Sequence, residues 1–343
     1  MTTMLETRDL SKSFSIKRSS LARAASAVGL SRQADARVYA VNEVSLSVAS
    51  GEVLGLVGES GCGKSTVGRM IAGLLPATSG ALAFEGKDIT APSVDTHLNI
   101  QMVFQNPYAS LNPRQRVDQV VSEAAIYHGL VDKKDAGSFV GSLLKQVGLD
   151  PTYASRYPHQ FSGGQRQRIA IARALALNPR FIVCDEAVSA LDVSVQAQIL
   201  NLFMDLRESK GLTYLFISHN LAVVEYIADR VAIMYLGRIV ELADTRSVFA
   251  RPNHPYTRAL IADAPRLDSK VVEHRPIQGE LPSPLKPPSG CTFHPRCPHA
   301  MPRCSEQRPL LRQVAPGHWS ACHLNDSDVP ATPEVAAAYD QVN

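Results

Sequence analysis

The chain has 343 residues, a hydrophobic fraction of 45% and a formal net charge of +3. This length and composition suit a globular protein with one large and one smaller domain. The small net charge gives no case for a nucleic-acid or lipid partner, and no apolar run reaches the roughly 18 residues of a membrane span. Residues 1–6 lack the basic and apolar regions of a signal peptide, so we expect a cytoplasmic protein with reduced thiols.

The chain begins with two predicted strands separated by a basic insertion. Residues 5–14 predict the first strand, and residues 44–48 alternate with period two like a half-buried strand. Residues 15–37 carry five basic side chains against one acid. This insertion is either a solvated loop or a basic patch that contacts another subunit or anionic lipid. Tyr39 follows it, and its ring could stack on a planar base, although a lone Tyr is more often part of a core.

A phosphate-binding loop comes next. Residues 58–66 (GESGCGKST) fit the pattern G-x-x-x-x-G-K-[ST], whose glycines let successive backbone N–H groups point at an anion. Residues 52–57 predict a buried strand before the loop, and residues 67–72 predict a helix after it, whose N-terminus adds to the anion site. The predicted cofactor-binding residues of the loop are Ser60, Gly61, Cys62, Gly63, Lys64, Ser65 and Thr66.

Within the loop, Lys64 supplies a positive charge for the β- and γ-phosphates and Ser65 a hydroxyl for Mg²⁺. The strands and helices that follow alternate, which predicts an α/β fold with a mostly parallel sheet and a ligand at the C-terminal ends of its strands. Residues 100–104 predict a strand that ends at Gln105, and helical spacing over residues 117–148 predicts a helical insertion.

Two further stretches carry chemistry. Residues 161–165 (FSGGQ) open a predicted helix, and Ser162 with the glycines at its start forms a second anion-binding geometry. Residues 181–184 (FIVC) predict a strand that delivers Asp185 and Glu186 at its C-terminal end. Asp185 is predicted to hold Mg²⁺, directly or through water, and Glu186 to polarise a water that attacks the γ-phosphate.

The next strand, at residues 213–218, ends in His219, which is placed to reach a γ-phosphate. With His219 the motifs together resemble the nucleotide-binding subunit of ABC transporters over about residues 5–250. The matching positions are Tyr39 of the A-loop, residues 58–66 of Walker A, Gln105 of the Q-loop, residues 161–165 of the signature, Asp185 and Glu186 of Walker B, residues 189–192 of the D-loop and the switch histidine His219.

The resemblance implies a P-loop NTPase (ABC ATPase) fold with an antiparallel β subdomain and a helical subdomain at about residues 106–163. It implies an adenine-stacking role for Tyr39 and ATP and Mg²⁺ as cofactors. The implied Mg²⁺ ligands are Ser65, Gln105 and Asp185, and the implied catalytic residues are Lys64, Gln105, Glu186 and His219. The implied contacts to the nucleotide of a second ATPase subunit are Ser162, Gly164 and Gln165. One departure is Ala187, where a proline is usual, and this difference could alter how Glu186 is aimed.

Three stretches resemble the oligopeptide/dipeptide/nickel importer branch more closely, and its F-type ATPase subunit most of all. They are residues 105–113 (QNPYASLNP), 189–198 (SALDVSVQAQ) and 254–260 (HPYTRAL). The resemblance implies a nucleotide-binding domain at residues 1–250 and a C-terminal extension at residues 251–343. It also implies ATP hydrolysis that powers import of peptides, or of nickel, glutathione or another small solute.

The implied setting is the cytoplasmic face of the inner membrane, where the chain is a peripheral subunit. The implied partners are a second ATPase (a copy or a paralogue), two transmembrane permease subunits and an extracytoplasmic substrate-binding protein, without nucleic acid. A soluble ABC ATPase acting on ribosomes or DNA is a weaker alternative, because such proteins usually carry two cassettes or long coiled coils. A non-catalytic regulatory subunit is disfavoured by the intact Gln105, Glu186 and His219.

Four cysteines cluster near the C-terminus, after a Pro-rich linker at residues 265–290. Cys291, Cys297, Cys304 and Cys322 have the spacing C-x5-C-x6-C-x17-C. In a reducing compartment this set favours metal over disulfides, although it lacks the C-x2-C knuckle of common zinc sites.

Four thiolates suit an iron–sulfur cluster, and related importer ATPases carry a similar set that binds a [4Fe–4S] cluster. The alternatives are unliganded thiols, or zinc with help from one of several histidines, namely His294, His299, His318 or His323. Residues 326–343 are expected to be disordered.

Overall fold

The computed structural model describes residues 2–16, 36–107, 111–263 and 279–326. The expectations for most of the basic insertion, for part of the Pro-rich linker and for nearly all of the C-terminal tail fall outside these ranges. Helices and strands alternate through the first two thirds of the chain. The strands are β1 (Thr3–Ile16), β2 (Ala36–Ala49), β3 (Val53–Val57), β4 (Ser79–Phe84), β5 (Lys87–Asp88), β6 (Ile100–Val103), β7 (Phe181–Asp185), β8 (Thr213–Ser218), β9 (Arg230–Tyr235), β10 (Arg238–Asp244), β11 (Arg312–Ala315) and β12 (His318–Ser320).

The helices vary from one turn to five turns. They are α1 (Lys64–Ile71), α2 (Val94–Asn99), α3 (Val117–Tyr127), α4 (Ala136–Gln146), α5 (Gly163–Leu175), α6 (Val193–Lys210), α7 (Leu221–Ile227), α8 (Thr245–Ala250), α9 (Pro255–Asp263) and α10 (Pro302–Glu306). In the described parts of the chain, none of them has both the length and the apolar character that a membrane span requires.

The central sheet places the candidate site. Its described strand order is β11-β12-β10-β9-β3-β8-β7-β6. The five strands β9, β3, β8, β7 and β6 are parallel to one another, whereas β10 pairs antiparallel with β9, and β12 and β11 continue the antiparallel pairing. Strands β3, β7 and β8 are buried along their whole length, which explains why each reads as a continuous apolar run in the sequence. The parallel strands match the predicted core, and the antiparallel edge was not predicted.

A second sheet and a group of helices flank this core. Strands β2, β1, β4 and β5 form an antiparallel sheet, and its apolar side chains pack with α1 in one buried cluster that includes Leu10, Val44 and Val67. The predicted helical stretch over residues 117–148 forms two helices, α3 and α4. They pack with α5 in a separate cluster, as the predicted helical subdomain requires.

The C-terminal segment, residues 279–326, is fixed to the central sheet at its antiparallel edge. Strand β12 pairs with β10, where Trp319 lies opposite Leu242. The buried carboxylate of Glu241, on β10, accepts hydrogen bonds from the backbone N–H groups of Asn253 and His254 and from the His318 ring. Aromatic rings of Tyr235, Tyr256 and Phe293 also pack together in this region. The segment is therefore attached by strand pairing, by a buried charge and by apolar packing.

Candidate functional site

The candidate site lies where four neighbouring parallel strands end. The P-loop follows β3, Gln105 follows β6, Asp185 ends β7 and His219 follows β8. In the register of the sheet, Val57 pairs with Ser218 and Ile217 pairs with Asp185, so these strands end at the same edge. This is the edge at which open parallel sheets bind ligands.

The P-loop backbone is shaped by two glycines with left-handed conformations. Gly61 has φ +78° and Gly63 has φ +109°. A Cβ atom on Gly63 would lie 2.1 Å from the carbonyl oxygen of Ala40, so only glycine allows β2 to approach the loop this closely. The loop is further anchored by the N–H of Gly237, which donates to the Cys62 carbonyl at 2.8 Å.

The two side chains predicted to contact phosphate and Mg²⁺ are held in place. The Lys64 ammonium is buried and donates to the carbonyls of Gly58 and Glu59 at 2.7 and 3.0 Å. The Ser65 hydroxyl donates to the Asp185 carboxylate at 2.7 Å. Burial raises the pKa of Asp185, partly offset by that hydrogen bond. A divalent cation beside Ser65 and Asp185 would favour the ionised carboxylate, because its charge opposes the effect of burial.

Glu186 and His219 form a second pair at the same edge. The His219 Nδ1 atom lies 3.2 Å from Glu186 Oε1. Glu186 has a left-handed backbone with φ +50°, a conformation that is costly for a residue with a side chain. Its N–H donates to the Ile217 carbonyl, and its own carbonyl accepts from the Ser189 hydroxyl. These two contacts fix the backbone of Glu186, with Ala187 buried next to it.

The remaining predicted positions lie outside these two pairs. Tyr39 is about half exposed and lines a cavity together with Gly61 and Cys62 of the P-loop. Gln105 is exposed just beyond β6. Ser162 caps α5: its hydroxyl accepts from the Gln165 N–H, and its own N–H donates to the Gln165 side chain.

Gly164 lies in the first turn of α5, where a Cβ atom would be 2.4 Å from Val195. Among the described residues, no hydrogen bond joins residues 162–165 to the P-loop. The structure therefore pairs Ser65 with Asp185 and Glu186 with His219, holds Lys64 through carbonyls of the P-loop, and does not join the signature stretch to the P-loop by any hydrogen bond among the described residues.

Two links to the P-loop were not predicted. The Glu59 carboxylate accepts two hydrogen bonds from the guanidinium of Arg296, and the Glu59 N–H donates to the Tyr256 hydroxyl. The local sequence carries only a weak signal for them: a charged residue at a variable position of the loop, and an arginine next to Cys297.

The four C-terminal cysteines line one small cavity. Burial, with a smaller contribution from the neighbouring thiols, raises the pKa of Cys291 to about 11 and that of Cys322 to about 12. In the described ranges, no three His, Cys, Asp or Glu side chains converge closely enough to hold a single metal ion.

Two of the histidines considered for zinc are already engaged. His318 contacts Glu241 and does not line the cysteine cavity, and both ring nitrogens of His323 have partners, Asp326 and the Gln307 carbonyl. The expected help from these two histidines is therefore not provided by the structure.

Two families match the chain. Residues 41–189 match the family described as ABC transporter, and residues 240–304 match the oligopeptide/dipeptide transporter C-terminal region. The oligopeptide transport ATP-binding protein AppF of Bacillus subtilis is 49% identical over 330 residues, which cover 94% of this chain and 97% of AppF. The putative oligopeptide transport ATP-binding protein YkfD of the same organism is 50% identical over 84% of this chain and 90% of YkfD.

Solved structures give the same result. The cbiO1 protein from Clostridium perfringens, part of the ABC transporter complex cbiONQ, superimposes with a TM-score of 0.60 at 25% identity over 73% of this chain and 92% of cbiO1. The ATP-binding cassette MJ0796, in a dimeric post-hydrolysis state bound to ADP and Pi, has a TM-score of 0.60 at 26% identity over 71% of this chain and 99% of that chain. The chain belongs to the ATP-binding proteins of ABC transporters, in the group that carries the oligopeptide/dipeptide transporter C-terminal region.

Proposed function

We propose that this chain hydrolyses ATP to power an ABC importer for di- and oligopeptides. The observation that carries the proposal is the pairing of Ser65 with Asp185 and of Glu186 with His219 at one edge of the sheet. The first pair offers oxygen ligands for Mg²⁺, and the second offers a carboxylate beside a histidine where a water would attack the γ-phosphate. Relatives named as oligopeptide transport proteins support the peptide substrate.

In this mechanism each side chain has one task. The P-loop amides and Lys64 bind the β- and γ-phosphates, Ser65 and Asp185 hold Mg²⁺ with Gln105, and the Tyr39 ring stacks on adenine. Glu186 accepts a proton from the attacking water, and His219 steadies the γ-phosphate. When bound by these residues, Mg²⁺ would neutralise the charge that develops on the phosphate oxygens.

The signature stretch is proposed to complete the site of a second ATPase subunit. Ser162, Gly164 and Gln165 lie at the start of α5, where the N-terminal end of a helix attracts an anion. Two such subunits would enclose two ATP molecules between P-loop and signature, so ATP would close the pair and hydrolysis would reopen it.

The remaining partners are proposed to be two permease subunits and an extracytoplasmic substrate-binding protein, with this chain on the cytoplasmic face of the inner membrane. A groove between the sheet and the helices, lined by Gln101, Phe104 and His128, offers a surface for a permease. We also propose that the chain divides into a nucleotide-binding domain at residues 1–250 and an extension at residues 251–343.

The test uses the assembled transporter in liposomes. Glu186→Gln keeps the shape of the side chain but removes the base, so ATP turnover should fall at least about 100-fold while MgATP binding persists. A matched control is Glu225→Gln, an exposed glutamate on α7, which should retain full turnover. Unchanged turnover in Glu186→Gln would show that this residue is not the base.

Uptake of a labelled dipeptide, with nickel and glutathione as competitors, tests the substrate. Transport of a competitor without transport of the dipeptide would reject the proposed peptide substrate.

We also propose that the four-cysteine cavity holds a [4Fe–4S] cluster. Cys291, Cys297, Cys304 and Cys322 form an all-thiol donor set, which suits iron–sulfur clusters. A cluster is wider than one ion, so its ligands need not converge on a point, and this favours it over zinc. When bound, the cluster would supply a covalent cross-link between parts of the C-terminal segment, with these four side chains as its ligands.

Iron and acid-labile sulfide, measured on anaerobically purified protein, test this assignment. Both should be present in the native chain and lost in Cys297→Ser. Cys184→Ala is the control, because this thiol is buried in β7, outside the cavity, and both should remain. Stoichiometric zinc without sulfide would overturn the proposal.

A further inference from the structure

The C-terminal segment contacts the P-loop at Glu59 through Arg296, and Tyr256 of α9 contacts the same residue. The guanidinium of Arg296 donates two hydrogen bonds to the Glu59 carboxylate, from Nη1 at 2.8 Å and from Nη2 at 3.1 Å. The hydroxyl of Tyr256 accepts a third hydrogen bond from the Glu59 backbone N–H at 2.9 Å. Glu59 lies 237 positions before Arg296, so the contact joins the P-loop to a distant part of the sequence.

Arg296 is well suited to hold another group in a fixed position. Only 5% of its side chain is exposed, and the hydrogen bond to Glu59 raises its pKa, against the opposing effect of burial. The Tyr235 ring packs against Tyr256 and Phe293, with centroids 4.6 and 5.3 Å away, and the Tyr235 hydroxyl lies 3.5 Å from the guanidinium. A buried ion pair between arginine and glutamate, joined by two hydrogen bonds and packed beside aromatic rings, has little freedom to reorient.

The effect of this contact reaches the phosphate-binding lysine. The carbonyl of Glu59 accepts a hydrogen bond from Lys64 Nζ at 3.0 Å. Arg296 therefore holds the carboxylate of the same residue whose carbonyl helps to direct Lys64. A shift of Glu59 would move one of the two carbonyls that orient the lysine, the other being Gly58.

The same segment borders the loop on a second side. Pro284, Pro287 and Thr292 line the cavity that contains Tyr39 and Gly61. The C-terminal segment thus meets both the phosphate-binding loop and the surroundings of the aromatic ring proposed to hold adenine.

We propose that Arg296 is a positioning residue of the nucleotide site, through which the C-terminal segment of the same chain sets the affinity for MgATP. This inference rests on the proposed nucleotide site. It predicts that nucleotide affinity falls when the link is cut, although Arg296 does not line the cavity beside Tyr39 and Gly61.

The experiment titrates full-length, anaerobically purified protein with MgATP and measures thermal unfolding without nucleotide. Arg296→Ala should weaken MgATP binding about tenfold, the loss expected for a hydrogen bond to a charged group. The MgATP affinity of Arg296→Lys should lie between those of the native chain and Arg296→Ala, because an ammonium cannot form both hydrogen bonds in the same geometry. The matched control is Arg308→Ala, which also cuts an ion pair between this segment and the rest of the chain, with Glu43, and should bind MgATP normally.

A double-mutant cycle keeps the test independent of folding. Glu59→Gln cuts the link from the other side, and the combination with Arg296→Ala should weaken binding no further than either change alone. In the assembled transporter, KM for ATP should rise while kcat changes little. An unchanged Kd in Arg296→Ala, or strictly additive effects in the cycle, would overturn the proposal.

Lys64→Ala separates this inference from the site on which it rests. If Lys64→Ala binds MgATP as tightly as the native chain, the proposed nucleotide site itself is wrong. If Lys64→Ala loses binding while Arg296→Ala does not, the site stands and the positioning role of Arg296 is rejected.

Discussion

Glu241→Gln should destabilise the antiparallel edge of the central sheet, where the C-terminal segment is attached. Glu241 is completely buried on β10, and its carboxylate accepts three hydrogen bonds. Asn253 N–H and the His318 ring bind Oε1, each at 2.7 Å, and His254 N–H binds Oε2 at 2.9 Å. A glutamine can offer its carbonyl oxygen to the first two donors, but its NH₂ group then faces the N–H of His254.

The magnitude follows from these contacts. The substitution loses one charge-assisted hydrogen bond, which is worth about 1.5–3 kcal/mol, and leaves a buried donor unsatisfied, at a cost of about 1–3 kcal/mol. We therefore expect the free energy of unfolding to fall by about 3–5 kcal/mol, the range seen when a buried pair loses one partner. The matched control is Glu43→Gln: Glu43 is about half exposed and pairs with Arg238 and Arg308, so its loss should cost about 0–1 kcal/mol.

Trp319, the only tryptophan of the chain, makes the assay specific. It lies on β12, opposite Leu242, so its fluorescence reports whether the segment is attached. Guanidinium unfolding in anaerobic buffer, followed by Trp319 fluorescence and by far-UV circular dichroism, should show the fluorescence transition of Glu241→Gln moving to lower denaturant and ahead of the dichroism transition. A fluorescence transition that moves no further than in Glu43→Gln would refute the argument.

The remaining predictions concern pH and three glycines. Burial raises the pKa of Glu241, but the hydrogen bonds from His318 and the backbone outweigh burial and lower the pKa below the ordinary 4.5. The difference in unfolding free energy between the native protein and Glu241→Gln should therefore be full above about pH 4.5 and shrink as the pH falls through the folded pKa. A difference that stays constant in acid would contradict this. Gly63→Ala should abolish MgATP binding because its Cβ would lie 2.1 Å from a backbone oxygen. Gly61→Ala has no heavy atom within 4 Å of its Cβ, so it should retain binding and lower the stability of the chain only by the left-handed penalty of about 1–2 kcal/mol. Equal losses of affinity in a titration of the two variants would contradict this. Gly164→Ala should destabilise the chain by about 1–3 kcal/mol, because its Cβ would lie 2.4 Å from the Val195 side chain. Adding Val195→Ala should restore the melting temperature, and a lack of recovery would exclude this clash as the cause.

Much of the core could be predicted because its signals are local. Strands β3, β7 and β8 are buried throughout, so each appears in the sequence as an apolar run, and each ends at a polar motif. The alternation of strands with helices then requires parallel strands whose ends meet. These rules place Lys64, Asp185 and His219 at one edge without any knowledge of long-range contacts.

The antiparallel edge could not be predicted in this way. Strands β9 and β10 form a hairpin, but β9 also lies parallel to β3, although about 180 residues separate Val231 from its partner Gly55. No short-range pattern specifies which strand β9 will join. The left-handed backbone of Glu186 was likewise hidden, because it depends on Ile217 and Ser189, which hold that residue from two sides.

The P-loop shows why a motif describes only half of a site. Its glycines and Lys64 define the face toward the phosphates, and this face can be recognised from nine consecutive residues. Its other face is held by Ala40 against Gly63, by Gly237 against Cys62, and by the C-terminal segment against Glu59. Since P-loops bind phosphate through backbone N–H groups, whose directions depend on φ and ψ alone, any group that fixes the backbone should also fix the binding geometry. Distant residues that hold this backbone should therefore alter nucleotide affinity as directly as residues within the motif.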